Sequence, residues 1–400
     1  MFLGGDFLSF MMGIIGLVVV LGLSYGISTN RQEIKLRPLL VMLVLQFLLG
    51  FILLRTTFGT TLVGGLANVF AALLEFAQAG VTFVFGGIAN QGAAPFFLTV
   101  LMPIVFISAI IGILRYIKVL PFFMKWVGLG LSKLNGLGKL ESYNGIASAI
   151  LGQSEVFISI KKELPFLSEK RLTTMSISAM STVSMSIVGS YMALLEPRYV
   201  ITALVLNLFG GFIISSLVNP YTLANSEDEL LIEEEEQQTF FQMLGEYILD
   251  GFHVAITVAA MLIGFVALIA MINFIFSKLT GLTFQEILGY VFAPLAFLTG
   301  VPWNEAVNAG SLMATKLVTN EFVAMTELAK GSWHFSGRTT AIVSVFLVSF
   351  ANFSSIGIIS GAMKGLNEEK GNLVAKNGLK ILLSATLVSF LSAIITGLIY

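Results

Sequence analysis

Runs of roughly 18 to 25 apolar residues recur along this chain, and nothing constrains its fold more. They lie near residues 7–27, 37–54, 96–119, 172–195, 197–217, 253–276, 338–362 and 377–399. Each is long enough to cross roughly 30 Å of hydrocarbon at about 1.5 Å per residue. Backbone at that depth must satisfy its own hydrogen bonds, and single long segments do so as helices. Hydrophobic residues make up 56% of the sequence and charged residues 11%, with a mean hydropathy of +0.92. A soluble globule of 400 residues does not have that balance. The expected fold class is an all-α polytopic membrane protein with about eight transmembrane helices.

The remaining apolar stretches differ in kind. Residues 57–88 are rich in Gly and Thr and carry Glu75, which suits an interfacial helix. Residues 120–135, with Pro121, Lys125, Trp126 and Lys133, and residues 239–252 have the mixed pattern of helices lying on a membrane surface. The N-terminal stretch from Phe7 to Ile27 lacks a basic leader and a small-residue cleavage site, so it reads as a retained helix rather than a signal peptide. There is no cysteine, which excludes disulfides and thiolate metal sites, and His253 and His334 stand alone. A net charge of −1 gives no sign of a nucleic-acid partner, and the acidic run 227–236 reads as a solvated loop. Trp126, Trp303 and Trp333 fit the aromatic belt at the membrane interface.

Two stretches, about 141–166 and 304–331, are apolar yet most polar in their middles: Gly152-Gln153-Ser154-Glu155 and Asn320-Glu321. About thirty residues after each comes a polar break in an apolar helix, Ser181 to Ser186 and then Asn352 to Ser355. A hairpin that enters the membrane and returns places such residues at its tip, where irregular backbone is tolerated if it lines a cavity. The expectation is two re-entrant hairpins, each followed by a broken span and an intact one. Carboxylates and amides at membrane depth mark substrate or ion paths. Internal repetition with interrupted helices points to a secondary transporter. With the N-terminus outside, the basic residues fall on one side: Arg31 to Arg37, Arg115 to Lys139, Lys161 to Arg171 and Lys364 to Lys380. The positive-inside rule makes that side cytoplasmic, so the hairpins enter from opposite faces as an inverted repeat.

Ala314-Thr315-Lys316-Leu317-Val318-Thr319-Asn320-Glu321-Phe322-Val323-Ala324 resembles the signature of the concentrative nucleoside transporters. Gly152-Gln153-Ser154-Glu155 is similar to that family's first-hairpin motif, and Phe350-Ala351-Asn352-Phe353-Ser354-Ser355 to its motif in the second broken helix. The resemblance runs from about residue 7 to residue 400, and the N-terminus resembles those of bacterial members. It implies a homotrimer in the bacterial cytoplasmic (inner) membrane. Each subunit would carry its own nucleoside path, with a transport domain that moves against a trimeric scaffold. It also implies residue roles. Gln153, Ser154 and Glu155 would contact the nucleobase, directly or through water. Glu321, Asn352 and Ser355 would hold the ribose hydroxyls, with Ile187 and Phe350 as apolar walls. Pyrimidine nucleosides such as uridine and cytidine are the expected cargo.

For the driving ion the chain departs from the pattern. Sodium-coupled relatives resemble one another in having asparagine where this chain has Ser148. Leu151, Thr182 and Val183 still offer carbonyls or a hydroxyl for an alternative or vestigial sodium site. The expected coupling ion is a proton loaded on Glu155 or Glu321, with Glu321 the better candidate. No cofactor or metal is expected. The expected division of the chain is an N-terminal scaffold region (1–140), a first transport repeat (141–217), an acidic loop with interfacial helix and linking span (218–276), and a second transport repeat (277–400).

Other classes leave different marks. A carrier of another small polar solute, such as an amino acid, needs a site for the solute's carboxylate, whereas these clusters offer carboxylates of their own. An intramembrane enzyme needs a nucleophile–base pair or a metal set, and neither histidine sits beside a candidate serine. A passive channel differs from a carrier in failing to accumulate its solute. The bland alternatives are helix capping by Glu155 and Glu321, satisfaction of freed backbone by Asn352 and Ser355, and interhelical packing by Thr182 and Ser184.

Overall fold

The computed structural model describes residues 2–89, 96–224, 228, 238–331 and 333–400. Among them every regular element is helical. The first three helices are α1 (Phe2–Gly26), α2 (Leu36–Arg55) and α3 (Thr57–Phe85). A π-helical turn at Phe97–Leu101 leads into α4 (Pro103–Tyr116), followed by α5 (Val119–Asn135). The first hairpin is α6 (Lys139–Leu151) and α7 (Glu155–Ile158); the first broken span is α8 (Glu169–Ser181) and α9 (Met185–Leu194), then α10 (Pro197–Val218). The second half begins with α11 (Phe240–Thr280) and α12 (Phe284–Leu298). Its hairpin is α13 (Trp303–Val318) and α14 (Glu321–Ala329), its broken span α15 (Gly337–Leu347) and α16 (Phe353–Leu366), and it ends with α17 (Glu368–Lys376) and α18 (Gly378–Ile399).

The halves repeat further than the sequence suggests. In each, an apolar helix (α4, α11) leads to a second helix (α5, α12), a hairpin, a broken span and an intact span (α10, α18). The intact spans form the centre: 78% and 83% of their apolar windows are buried, against 11% for α3 and α11. Lateral ties fix this centre. Gln46 donates to the Leu206 carbonyl at 2.7 Å, and Arg55 reaches the Ile399 carbonyl at the end of α18 at 2.8 Å.

A carboxylate clamps the base of each hairpin to the start of its broken span. Glu141 accepts from Arg171 Nε at 2.6 Å and Nη2 at 3.1 Å, and from the Tyr221 hydroxyl at 2.8 Å. Glu305 accepts from the Ser336 amide at 3.1 Å and its hydroxyl at 3.0 Å, just where Ser336 caps α15. Such pairs leave few polar groups unmet where water is scarce.

Several expectations need correction. Residues 239–252 and 253–276 are not a surface helix plus a span but one 41-residue helix, α11, started by a Thr239/Gln242 capping box. At about 1.5 Å per residue it is roughly twice the length the hydrocarbon requires. Gly245 and Gly251 do not break it. Gly251 is instead where α11 meets α4, since a Cβ there would lie 2.8 Å from Ser108. The returning arm of the first hairpin is a single helical turn, Glu155–Ile158, and the chain then passes through turns to Pro165, which an α-helix interior does not accept. Helix α12 was unassigned: fifteen residues are short for a span, and Pro294 interrupts its pattern. It runs into α13 through a 115° bend.

Residues 57–88 do not stop at an interfacial length. Helix α3 has 29 residues and meets the length and hydropathy of a span, as do seven other described helices. The 120–135 segment is the separate amphipathic helix α5: Phe122 and Trp126 are exposed while Met124 and Gly128 are buried. Most of the acidic run 227–236 lies outside the described residues; Asp228 accepts from the Lys139 amide at 2.6 Å.

Orientation is open to a direct test, since the chain has no cysteine of its own. A cysteine at Lys161 should react with an impermeant maleimide only from the cytoplasm, and one at Lys330 only from outside. Both positions are exposed, whereas neighbouring Gly331 sits at φ +69, where a side chain is strained. Labelling of both from one side contradicts the inverted repeat.

Candidate functional site

The hairpin tips and the helix breaks meet at one place. Gly152 adopts φ +110, and a Cβ there would lie 2.7 Å from Glu155 Oε2 and 3.0 Å from Ser184 Cβ. Only glycine combines that backbone with so close an approach. The first tip is tied to the first break by the Ser184 hydroxyl, which donates to the Leu151 carbonyl at 3.1 Å. The second tip is tied to the second break by Asn352 Nδ2, which donates to Glu321 Oε2 at 3.0 Å. The breaks join through the Phe350 amide, which donates to the Thr182 carbonyl at 3.2 Å. A further link crosses the repeats: the Tyr191 hydroxyl of α9 donates to Glu321 Oε1 at 2.8 Å.

Each half-helix begins at this point. Asn320 caps α14 by accepting from the Val323 amide at 3.0 Å, and Asn352 caps α16 by accepting from the Ser355 amide at 3.0 Å. Asn352 therefore does two things at once, capping through Oδ1 and reaching Glu321 through Nδ2. Glu155 and Glu321 each occupy the first position of the returning arm. The two carboxylates differ in surroundings. Both Glu321 oxygens accept side-chain hydrogen bonds, whereas among the described residues no side chain donates to Glu155. Arg115 and Asp250 lie within electrostatic reach of Glu155, and Arg115 bonds the Tyr247 hydroxyl at 2.8 Å.

Carbonyls freed by the second break are met by side chains from other helices. Lys316, 1% exposed, donates to the Phe346 carbonyl at 2.7 Å, Ser349 Oγ at 2.6 Å and Ser389 Oγ at 3.1 Å. Asn207 donates to the Val348 carbonyl at 2.6 Å. Three acceptors match the three hydrogens of an ammonium. Lys316 is thus anchored inside the protein by neutral oxygens, within electrostatic reach of Glu321.

Every expected site residue falls in or beside this cluster. Gln153, Ile187, Glu321, Asn352 and Ser355 are buried; Ser154, Glu155 and Phe350 are partly so. Two polar atoms, Gln153 Oε1 and Ser355 Oγ, are buried without a partner. The oxygens of the ion-site set also make bonds within the chain. The Ser148 hydroxyl donates to the Asn144 carbonyl at 2.6 Å, and Thr182 Oγ1 to the Ser178 carbonyl at 3.1 Å. The Leu151 and Thr182 carbonyls accept the bonds described above, and Val183 is fully buried.

A cavity of about 410 Å³ opens elsewhere, on the flank of the second hairpin, lined by Gln285, Glu286, Glu327, Lys330 and Trp333 among others.

Tyr191 and Lys316 carry more of this geometry than the sequence reading gave them. Tyr191 lies seven residues after Ser184, about two turns along the same helix face as Ile187. That spacing was the available signal. Lys316 is the one charged residue of α13 beyond its first turn, which is itself a flag at membrane depth.

Profiles of known families cover most of the chain. One described as Na+ dependent nucleoside transporter N-terminus matches residues 15–88, one described as nucleoside recognition matches 97–198, and one described as Na+ dependent nucleoside transporter C-terminus matches 199–397. The purine nucleoside transport protein NupG of Bacillus subtilis is 37% identical over 392 residues, 97% of this chain and 99% of that protein. The solved structure of CNTnw in an inward-facing substrate-bound state is 31% identical and superposes with a TM-score of 0.91, over 98% of both chains. A variant of CNTnw in an outward-facing state gives 0.93 at 31% identity, over 98% of this chain and 97% of that one.

Proposed function

The chain belongs to the concentrative nucleoside transporter family, whose members are membrane transporters and not enzymes, and from that premise we propose that it imports nucleosides by proton-coupled symport with alternating access. The observation that carries the reading is the buried meeting of Glu321, Asn352 and Ser355 where the second hairpin tip joins the second helix break, with Gln153 at the tip of the first hairpin. Ribose hydroxyls are bound by Glu321, Asn352 and Ser355, since a carboxylate accepting from hydroxyls makes charge-assisted bonds. The base lies toward Gln153, Ser154 and Glu155, between Ile187 and Phe350. Relatives solved in inward-facing and outward-facing states support alternating access.

A carboxamide offers a donor and an acceptor side by side, a pattern that the edge of a pyrimidine or of a purine can meet. The purine substrates named for a 37%-identical relative therefore extend the proposed cargo from uridine and cytidine to purine nucleosides. The proton reading is supported by Ser148 and by the engagement of the surrounding oxygens with the chain itself. Of the two carboxylates, Glu155 is the freer to take up a proton, because both Glu321 oxygens already accept. Sodium coupling is the second reading, favoured by the Na+ dependent description of the matching profiles. The chain is assigned to a bacterial cytoplasmic membrane as a homotrimer. The bare apolar faces of α3 and α11 are available to lipid and to neighbouring subunits.

Competition against labelled uridine and adenosine tests the site. Nucleosides should compete, while free uracil, free adenine and nucleotides should be at least about tenfold weaker, because a missing ribose leaves buried acceptors unpaired. Phosphates also meet Glu155 and Glu321 as like charges. Free base competing as well as nucleoside removes the ribose half of the site.

A further inference from the structure

We propose that Tyr191 is a positioning residue that leaves Glu321 with two open acceptor places and so makes the site read a vicinal diol, an inference that rests on the nucleoside reading above. An ionised carboxylate has about four lone-pair sites, two on each oxygen. Here Tyr191 fills one on Oε1 at 2.8 Å and Asn352 fills one on Oε2 at 3.0 Å. Each oxygen keeps acceptor capacity beyond its one side-chain bond, and two neighbouring hydroxyls can use both. The phenol has no solvent to turn toward. Tyr191 is fully buried, and its ring stands edge-on to Phe322 with centroids 4.9 Å apart. Ile187 lies one turn back on the same helix. Lys316 Nζ donates to three neutral oxygens and to no carboxylate, so it occupies neither Glu321 oxygen.

The geometry also connects the repeats. Tyr191 stands on the first broken span, Glu321 on the second hairpin and Asn352 on the second break, so the carboxylate's orientation is set from both halves. Without the phenol the carboxylate is held by Asn352 alone and pivots about it, so its open places no longer face both hydroxyls together. A diol then gains little over a single hydroxyl.

The test compares uptake of a ribonucleoside with its 2′-deoxy and 3′-deoxy analogues by wild type and Tyr191→Phe in proteoliposomes. Wild type should prefer the ribonucleoside over either analogue by at least about tenfold, the penalty of one unfilled buried acceptor. Tyr191→Phe should transport the ribonucleoside more weakly and bring that ratio close to one. A variant that slows all three substrates equally, or changes nothing, overturns the proposal. Phe322→Leu keeps the hydroxyl but loosens the ring that pins it. It should lower the same ratio by a smaller factor, and an unchanged ratio there overturns the proposal even where Tyr191→Phe does not accumulate. Wild type that ignores the deoxy changes while carrying nucleosides refutes the role of Glu321 and Asn352 in the ribose site, a separate failure from that of Tyr191.

Discussion

Glu321→Gln should weaken nucleoside binding by roughly ten- to hundred-fold, about 1.5–3 kcal/mol, with protein level and assembly near normal. The amide keeps the shape and one carbonyl acceptor but puts two N–H donors where an oxygen stood. On the Oε1 side such a donor faces the Tyr191 hydroxyl, and on the Oε2 side it faces the amide of Asn352. Glu321→Ala should do at least as much harm, because Tyr191 and Asn352 then lose their shared acceptor altogether. Binding measured on purified protein separates this from a defect in movement. Wild-type affinity in Glu321→Gln is incompatible with the assigned site.

Uptake should rise as external pH falls, collapse with a protonophore and remain when sodium is replaced by choline. A proton needs one titratable group exposed alternately to the two sides, and the hairpin tips supply two carboxylates, Glu155 and Glu321. Sodium needs several oxygens in one cage. The hydroxyls of Ser148 and Thr182 donate into their own helices, and the Leu151 and Thr182 carbonyls accept from Ser184 and Phe350, so a cation there would share oxygens the chain already uses. Serine at position 148 offers no amide carbonyl to such a cage. Strict sodium dependence at constant pH rejects the proton reading and means that Ser148, Leu151, Thr182 and Val183 form a working cation site.

The large architecture was legible because membrane helices announce themselves by length and hydropathy, and because polar residues at membrane depth are too costly to be incidental. The tips at Gln153 and Asn320 and the breaks near Thr182 and Asn352 were readable for that reason. What the sequence hid was continuity and partnership. Nothing between Phe240 and Thr280 but glycines hints at an end, and whether Gly251 breaks a helix or lets α4 approach depends on a residue 143 positions earlier, Ser108. The returning arm after Glu155 is helical by composition, yet it makes only one turn before the chain turns toward Pro165. Tyr191 read as one more large residue in an apolar helix; only the fold brings it to Glu321, 130 positions away. Lys316 belongs to a recognisable motif, but its three acceptors come from two other segments, at Phe346, Ser349 and Ser389.

The most direct measurement is radiolabelled nucleoside uptake into proteoliposomes of the purified protein, with proton and sodium gradients imposed separately. Uridine and adenosine should accumulate above the external concentration when the outside is acidic, and should only equilibrate when a sodium gradient is imposed alone. Entry that never exceeds equilibrium under either gradient, or no entry of any nucleoside, contradicts an ion-coupled nucleoside importer.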